Sequence, residues 1–406
     1  MSYTINQQSL NKALKTLKRN VDGRPSHPVL GCYLFEFGNP VVTLTSVGSK
    51  GPAGSGSFSR ATVYVTEGYY DEAGTEVNIA VPHKQLSEVV NSLPKDSEIS
   101  LHPFIVTGSL DKTKPVYKMK VVSGSMEVEI EGMNPDDFPI VCESGYPNPP
   151  QKAFVAAATV ATSLKDTLYS ASKDPFKANL CAVDLTVSQE GSSLSFAATD
   201  GHRLSHIELI DADYSGSINL TVPRDIADQL YKALGTNVKK MEGDVEFAQI
   251  AARTFRIRYG KYEFAFQAFN ATYPNYRQLF PENFKCSVMF GTKELTNALV
   301  RAEKIANAGN GVVKFEFDTE IGQVAISAGG YVEKVPFGSE GNVANSRIAF
   351  NVNYLLDALK GPSLKSSDSV FIEFNSPTTP AVITLEMKNT GENFRYLIMP
   401  VQVREW

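Results

Sequence analysis

The sequence predicts an α+β protein made of three similar domains, each containing two β-α-β-β-β units. Two observations lead to this fold class. A strand-to-helix segment returns three times along the chain, and the predicted strands alternate apolar and polar residues. Such alternation leaves one face of a sheet buried and the other wet, as in antiparallel sheets that carry helices on a single side. We therefore expect helices on one surface of each domain and antiparallel sheets on the other.

The returning segment occupies residues 78–93, 220–234 and 348–359. Its first two copies place Pro82 and Pro223 where the helix begins, a position that proline favours. A second amphipathic helix precedes each copy, in residues 9–19, 159–169 and 295–305. With a linker rich in proline and glycine after the first domain, this spacing predicts domains at 1–149, 150–284 and 285–406.

Charge is unevenly distributed in the predicted fold. The net charge is −5, which argues against a protein that coats nucleic acid with its whole surface. The first helix nevertheless carries Lys12, Lys15 and Lys18 beside its apolar stripe, and Arg301 and Lys304 repeat this bias in the third domain. Acidic residues concentrate in strands and turns. A basic helix surface and an acidic sheet surface favour loose contact with phosphates without sequence preference.

Other features exclude several classes of protein. No apolar run reaches the roughly 20 residues that cross a bilayer, and the first residues enter a strand pattern without a secretion signal. The cysteines form no Cys-x-x-Cys pair, so we expect no zinc site, no disulfide framework and a cytoplasmic location. The Gly-rich stretch 49–57 lacks the ending of a nucleotide-binding loop and predicts a flexible loop. We expect neither a cofactor nor a metal.

The stretch 196–204 carries the most distinctive local chemistry. An apolar strand ends at Thr199-Asp200-Gly201, and a second strand restarts after His202 and Arg203. Gly201 permits a positive φ and Asp200 can close an Asx turn, so a tight hairpin explains the pattern structurally. An enzyme could use Asp200 and His202 as an acid–base or metal pair. No nucleophile motif, carboxylate cluster or phosphate loop supports that alternative.

Several motifs together identify a resemblance to the bacterial DNA sliding clamps, the β subunits of the replicative DNA polymerase. The matching motifs are Ala-Thr-Asp-Gly-His-Arg-Leu at 198–204, Tyr-Pro-Asn-Tyr-Arg at 273–277, the helix start at 350–359, Tyr-Leu-Ile-Met-Pro-Val-Gln-Val at 396–403 and the segment 23–31. The resemblance extends over the whole chain, and the threefold repeat matches it independently.

The resemblance implies the DNA clamp fold and a ring of two head-to-tail subunits, with helices inside and a continuous sheet outside. A closed ring pairs every sheet edge, which otherwise invites aggregation. Such a protein is a processivity factor that encircles double-stranded DNA. It tethers the replicative polymerase, and it binds the clamp loader and repair proteins through short linear peptides. It has no catalytic site of its own. The alternative is a protein-interaction scaffold of the same fold that does not bind DNA.

The resemblance also implies an apolar peptide-binding cleft between the second and third domains. The residues that it assigns to this cleft are Leu180, Thr199, Gly201, His202, Arg203, Leu204, Pro281, Asn351, Tyr354, Leu397, Ile398, Met399, Pro400, Val401 and Val403. Methionine and leucine form an adaptable apolar surface for several partners, while Arg203, Asn351 and Tyr354 can fix a peptide backbone.

By the same route, Arg24, Lys173 and Lys177 join Lys12, Lys15, Arg301 and Lys304 as candidate DNA contacts, and Val128, Ile130 and Ile305 become candidate subunit contacts. The chain departs from the family at two places. The first domain carries the Gly-rich insertion 49–57, and the chain continues past Val403 with Arg-Glu-Trp, which puts the sole tryptophan beside the predicted cleft.

Overall fold

The computed structural model describes most of the chain. The described residues are 1–21, 25–38, 40–48, 57–69, 77–107, 115–139, 149–190, 193–210, 212–235, 237–238, 241–269, 272–341, 343, 346–385 and 392–403. Arg24, nearly all of the Gly-rich insertion 49–57 and the final residues 404–406 lie outside them.

The chain forms two compact units. The first contains Met1–Ala157, Asp228–Thr236 and Gly243–Asn270, and the second contains Ala158–Ala227, Asn237–Glu242 and Ala271–Trp406. The boundaries of the three sequence domains stay predictions.

Helices and strands alternate along the chain in the predicted order. The helices are α1 (Gln7–Leu17), α2 (His83–Ser92), α3 (Ala157–Thr167), α4 (Arg224–Leu234), α5 (Thr292–Ala306), α6 (Val352–Leu359) and α7 (Pro362–Ser366). The first strands are β1 (Ser2–Asn6), β2 (Cys32–Phe37), β3 (Val41–Gly48), β4 (Ser57–Tyr64), β5 (Glu67–Tyr69), β6 (Ile79–Pro82), β7 (Glu98–Thr107), β8 (Pro115–Ser123) and β9 (Met126–Glu131).

The remaining strands follow the same order. They are β10 (Lys152–Ala156), β11 (Ala182–Ser188), β12 (Ser193–Thr199), β13 (Arg203–Leu209), β14 (Tyr214–Pro223), β15 (Asp244–Ala251), β16 (Thr254–Tyr259), β17 (Tyr262–Gln267), β18 (Cys286–Gly291), β19 (Val312–Asp318), β20 (Gln323–Ala328), β21 (Tyr331–Pro336), β22 (Gly338–Gly341), β23 (Arg347–Asn351), β24 (Ser369–Phe374), β25 (Ala381–Leu385) and β26 (Glu392–Ile398). The β-α-β-β-β unit is clearest where β10-α3-β11-β12-β13 is followed by β14-α4-β15-β16-β17. The predicted fold class is confirmed.

The first unit contains two antiparallel sheets. One is five-stranded, in the order β5-β1-β7-β8-β9. The other runs β6-β2-β3-β4-β17-β16-β15-β10. Helix α1 packs against α2 and β4 with Leu10, Ala13, Leu14 and Leu17, which are all buried. The apolar stripe predicted for this helix is therefore its core face.

The second unit also contains two antiparallel sheets. A four-stranded sheet has the order β21-β20-β19-β23. A longer one runs β14-β11-β12-β13-β26-β25-β24-β18-β22. Strand β13 pairs with β26 in a register that sets Arg203 opposite Ile398 and Leu204 opposite Leu397. This pairing brings the central hairpin to the C-terminal segment of the chain.

Across the described residues, no helix is both long enough and apolar enough to cross a membrane.

Candidate functional site

The hairpin between β12 and β13 is a closed network of hydrogen bonds. The Thr199 hydroxyl donates to the carbonyl of Arg203 at 2.6 Å and accepts from the amide of Gly201 at 3.1 Å. Asp200 accepts from the amides of His202 at 2.9 Å and Arg203 at 3.1 Å. Gly201 has a φ of 91°, which a residue with a Cβ rarely adopts. The predicted turn is thus built from the residues that the sequence indicated.

The Arg203 side chain reaches from this hairpin to helix α6. Its Nε donates to Asp200 at 3.0 Å, one terminal nitrogen donates to Asp357 at 2.6 Å, and the other donates to the carbonyl of Tyr169 at 2.7 Å. The guanidinium carbon lies 4.2 Å from the centre of the Tyr354 ring, within the range of a cation–π contact. Arg203 therefore connects the hairpin to the helix that carries Tyr354.

This arrangement bears on two of the predicted peptide contacts. Arg203 is only 8 % exposed, and its nitrogens already have acceptors, so it cannot easily reach a peptide. The side-chain oxygen of Asn351 caps α6 by accepting from the amides of Asn353 and Tyr354. We expect these side chains to position the predicted site, and Tyr354 remains half-buried.

The segment after β26 lies along the hairpin and β23. The amide of Met399 donates to the carbonyl of His202 at 2.9 Å, and the amide of Val401 donates to the carbonyl of Ala349 at 2.7 Å. These backbone bonds hold the segment while the Met399 side chain stays 37 % exposed. A flexible thioether side chain with exposed surface can adapt to different apolar ligands.

Several predicted cleft residues lie beneath the surface. Leu204, Leu397 and Ile398 are 1 %, 5 % and 0 % exposed, because β13 and β26 are interior strands of the sheet. Leu204 and Leu397 pack with Ala197, Tyr276, Phe280 and Val382. Thr199, at 7 % exposed, is also buried. The predicted residues that keep accessible surface are Leu180, Gly201, His202, Pro281, Asn351, Tyr354, Met399, Pro400, Val401 and Val403.

Some supporting residues were not predicted from the sequence. Asp357 accepts a hydrogen bond from Arg203, and the Tyr273 hydroxyl accepts one from the amide of Thr199 at 3.1 Å. The buried Tyr396 hydroxyl donates to the carbonyl of Tyr354 at 2.9 Å, and burial raises the pKa of Tyr396 above its ordinary value. Asp357 follows Tyr354 by three residues on one helix, a spacing that indicates a shared face and could have suggested its role.

His206 lies buried on β13, 4 % exposed, beside the rings of Tyr276 and Phe280. Burial lowers its pKa to about 4, and the charge of Arg277 acts in the same direction. On β11, burial raises the pKa of Asp184 to about 6, against the hydrogen bond from Thr221. A fall in pH therefore lowers the folding stability through His206 and raises it through Asp184.

A basic cavity of about 800 Å³ opens beside α1 in the first unit. Its lining residues are Gln7, Gln8, Asn11, Lys12, Lys15, Thr16, Lys18, Lys95 and Lys232. Lys12 and Lys15, both predicted to face DNA, are exposed at this cavity, and Lys232 pairs with Asp228 at 2.8 Å. Lys18 belongs to the basic surface predicted for the first helix, whereas Lys95 was not among the predicted basic residues.

The other predicted DNA contacts differ in how accessible their charges are. Lys173 and Lys304 are exposed. Lys177 donates to the carbonyl of Asp200 at 3.0 Å. Arg301 donates from Nε to Glu333 at 2.8 Å, so a carboxylate already balances its charge. We expect Arg301 to attract phosphate less strongly than Lys304 does.

The predicted subunit contacts also differ in exposure. Ile305 on α5 is 45 % exposed and Val128 on β9 is half-buried. Ile130 is only 3 % exposed in the single chain, because it faces the core side of its sheet. Ile130 therefore has almost no surface to offer a partner subunit, and the expected contact is left to Val128 and Ile305.

The hairpin geometry bears on the enzyme alternative. Both carboxylate oxygens of Asp200 accept hydrogen bonds from within the turn or from Arg203. This satisfies the role of a turn-closing residue and leaves the carboxylate poorly placed as a general base. Among the residues that the structure describes, no group of three His, Cys, Asp or Glu side chains could hold a metal ion.

Comparison with known proteins agrees with the fold. Residues 155–275 match the central domain of the DNA polymerase III beta subunit, and residues 277–402 match its C-terminal domain. The chain is 28 % identical to the beta sliding clamp of Synechococcus elongatus over 413 residues, which cover 100 % of both chains. It is 27 % identical to that of Synechocystis, over 99 % of this chain and 100 % of the relative.

Solved structures are similar over nearly the whole length. The beta subunit of DNA polymerase III from Thermotoga maritima has a TM-score of 0.79 at 21 % identity, covering 99 % of both chains. A DnaN sliding clamp from Pseudomonas aeruginosa bound to griselimycin has a TM-score of 0.78 at 22 % identity, covering 99 % of this chain and 100 % of the other. The fold is thus that of the DNA clamps. Since the two domain matches together cover more than half of the sequence, the chain belongs to the bacterial DNA polymerase III beta subunit family, the beta sliding clamps.

Proposed function

We propose that this chain is the processivity factor of a bacterial replicative DNA polymerase. Two copies close around duplex DNA without reading its sequence, and partner proteins bind through short peptides beside the 199–203 hairpin. The observation that carries the proposal is the accessible apolar surface around Met399, held in place by backbone hydrogen bonds to the hairpin and to β23. The chain acts as an accessory subunit without a catalytic site of its own, in the cytoplasm, where bacterial DNA is replicated.

This surface is suited to binding partners that replace one another. Met399, Pro400 and Val401 offer apolar contact, while the buried Arg203 adds no free charge. Each apolar side chain that a peptide buries there contributes about 1.5–3 kcal/mol. One or two such anchors give modest affinity after the entropic cost of binding, so the polymerase, the clamp loader and repair proteins can replace one another.

The basic cavity beside α1 supports the DNA-binding part of the proposal. Five lysines converge there, namely Lys12, Lys15, Lys18, Lys95 and Lys232. Lysine is a flexible point charge, so it meets phosphates without demanding one geometry. Contacts of this kind attract the DNA backbone and still allow sliding, while the closed ring rather than affinity prevents escape.

The sheet edges support the proposed head-to-tail dimer. Strand β9 ends one sheet of the described chain and β21 ends another. The exposed side chains of β9 include Glu127, Glu129 and Glu131, and those of β21 include Val332 and Lys334. Pairing β9 of one copy with β21 of the other would cover both edges and bring opposite charges together.

The test combines sizing with retention on DNA. Light scattering measures whether the purified chain is a dimer, and the clamp loader of the same cell then loads it on nicked circular DNA. We expect the protein to remain on the circle at high salt and to leave once the circle is linearised. A monomer that cannot be retained would overturn the proposal and favour the scaffold alternative.

Met399→Ala tests the partner site on the same substrate. We expect this change to abolish polymerase stimulation and to weaken griselimycin binding, while retention on DNA is unchanged. Ile321→Ala is a matched control, since Ile321 is 53 % exposed in the turn before β20. If Met399→Ala supports full processive synthesis, the site is assigned wrongly.

A further inference from the structure

A second cavity, of about 520 Å³, opens in the first unit on the sheet face opposite α1. On β4, Ala61 and Val63 are buried on the face that α1 covers, so Arg60 and Thr62 belong to the other face, where the cavity lies. The cavity shares no lining residue with the basic cavity beside α1. Its volume is typical of a site for a small molecule, about 300–1,000 Å³.

The charges that line this cavity are not balanced. They are Arg60, Arg258 and Lys261 against Glu36 and Glu263. Each carboxylate lies near an arginine, since Glu263 accepts from Nε of Arg258 at 2.5 Å and Glu36 lies 4.0 Å from Arg60. The ammonium group of Lys261 lies 5.7 Å from the centre of the Tyr262 ring, and within the described part of the chain it has no carboxylate partner and no hydrogen-bond acceptor.

Lys261 is held at the cavity as a half-buried cation. The amide of Thr62 donates to its carbonyl at 2.9 Å, which fixes the residue beside β4. Burial lowers the pKa of Lys261, and the positive charge of Lys12 acts in the same direction. A half-buried ammonium group without a counter-ion is unfavourable, and an anion in the cavity would relieve this cost.

Hydroxyl groups and an aromatic ring lie next to this cation. Thr43 and Thr62 are paired across β3 and β4, and both line the cavity with hydroxyls that can donate and accept. Tyr64 is 69 % exposed and lies two residues after Thr62, hence on the same face of the strand and about 7 Å along it. A nucleoside monophosphate spans such a separation between its phosphate and its base.

We propose that this cavity binds a small organic anion with one charged group and a planar ring, of the class of the nucleoside monophosphates. Lys261 binds the anionic group, the hydroxyls of Thr43 and Thr62 bind the hydroxyls of the ligand, and the ring stacks on Tyr64. Glu36 and Glu263 disfavour a polyanion, because further phosphates would lie against their carboxylates. A DNA strand is disfavoured for the same reason, so the proposal goes beyond the processivity function and does not depend on it.

The test is isothermal titration calorimetry of the full-length protein with adenosine monophosphate at low salt. Adenosine and inorganic phosphate serve as the two halves of the ligand. We expect saturable binding of the monophosphate at one site per chain and weaker binding of each half, while ATP should bind no more tightly than the monophosphate. A wild-type protein that shows no saturable binding of the monophosphate overturns the proposal.

Variants separate the contribution of the cation from that of the ring. Lys261→Met should weaken binding of the monophosphate by about fivefold or more, since it removes a charge-assisted contact, and should leave adenosine binding unchanged. Lys261→Arg should retain most of the affinity. Tyr64→Leu should weaken binding of the monophosphate and of adenosine by about threefold or more and leave phosphate binding unchanged. Lys285→Met and Phe176→Leu, at exposed positions of the second unit, should behave as wild type.

Nuclear magnetic resonance of the wild type locates the ligand without any variant. The amide signals of Thr43 and Thr62 should shift as adenosine monophosphate is added. If the shifts centre on Lys12 and Lys15, or if Lys15→Met abolishes binding and Lys261→Met does not, the anion binds in the basic cavity and the proposal is wrong. Tighter binding of ATP than of the monophosphate would also contradict it. Retention on nicked circular DNA tests the processivity function separately.

Discussion

At the scale of single residues, we expect Arg203 to determine how the proposed peptide site is organised. Its guanidinium joins Asp200 on the hairpin to Asp357 on α6 and lies against the Tyr354 ring. A buried guanidinium with several acceptors is a rigid connector, because each bond fixes its planar group. We therefore expect Arg203 to position the proposed site rather than to contact its ligand.

Asp357→Asn should weaken binding of a partner-derived peptide to the proposed site by roughly three- to tenfold, since it removes one charge-assisted bond worth about 1 kcal/mol or somewhat more at a partly exposed site. The expected cause is a Tyr354 ring that is held less firmly. When the ligand is titrated, the intrinsic tyrosine fluorescence should therefore change in amplitude as well as in midpoint. Glu320→Gln, an exposed acidic residue in a turn, is the control. Unchanged affinity in Asp357→Asn would show that Arg203 does not position the site.

A second prediction at this scale concerns His206. Its pKa is lowered to about 4 in the folded chain, whereas an unfolded histidine titrates near 6.5. Between these values the unfolded state binds more protons, so the stability that depends on neutral His206 falls as pH drops from about 6.5 to 4. The loss reaches up to about 3 kcal/mol, because one pKa unit corresponds to about 1.4 kcal/mol.

His206→Leu should remove this acid sensitivity. Asp184 titrates in an overlapping range with the opposite sign, so the quantity to measure is the difference in unfolding free energy between wild type and variant from pH 7 to pH 4. We expect His206→Leu to gain stability relative to wild type as pH falls. A difference that is independent of pH would contradict the buried, neutral histidine.

At the scale of elements, the end of α3 is joined to α7 by a buried carboxylate. Asp166 accepts from the Ser363 hydroxyl at 2.6 Å and from its amide at 3.3 Å, which caps the short helix. Gly361 lies so close that a Cβ there would be 2.4 Å from an Asp166 oxygen. Neither the helix nor this contact was predicted, because Asp166 and Ser363 are far apart in sequence.

Gly361→Ala should therefore destabilise the chain by roughly 1–3 kcal/mol, since the added methyl group must displace a buried, hydrogen-bonded carboxylate. Gly330→Ala is the matched control, because nothing lies within 4 Å of a Cβ at that position. Urea unfolding measures both variants. Equal stability of the two would mean that the Asp166–Ser363 contact tolerates displacement.

At the scale of the whole molecule, the proposed ring depends on one modest apolar contact and two sheet edges. Ile305 is 45 % exposed and Val128 is half-buried in the single chain. Burying a large aliphatic side chain contributes about 1.5–3 kcal/mol. A charged side chain in place of Ile305 would therefore cost a comparable amount of binding free energy or more.

Ile305→Asp should shift the dimer to monomer at micromolar concentration, as measured by light scattering, and should abolish retention on nicked circular DNA. Ile321→Asp, at an exposed isoleucine of the same unit, should leave both properties unchanged. A stable dimer in Ile305→Asp would place the subunit contact elsewhere on the surface.

The sequence by itself determined the repeated α+β fold, because periodicity reports which face of each helix and strand is buried. It also located the central hairpin, whose Thr, Asp and Gly act through bonds to near neighbours. Tertiary structure alone decided which residues around that hairpin keep accessible surface. Leu204, Leu397 and Ile398 look like ligand-binding residues in the sequence, yet the pairing of β13 with β26 buries them. The roles of Arg203, Asp357 and Asp166 depended on partners distant in the chain, and local periodicity carries no information about such contacts.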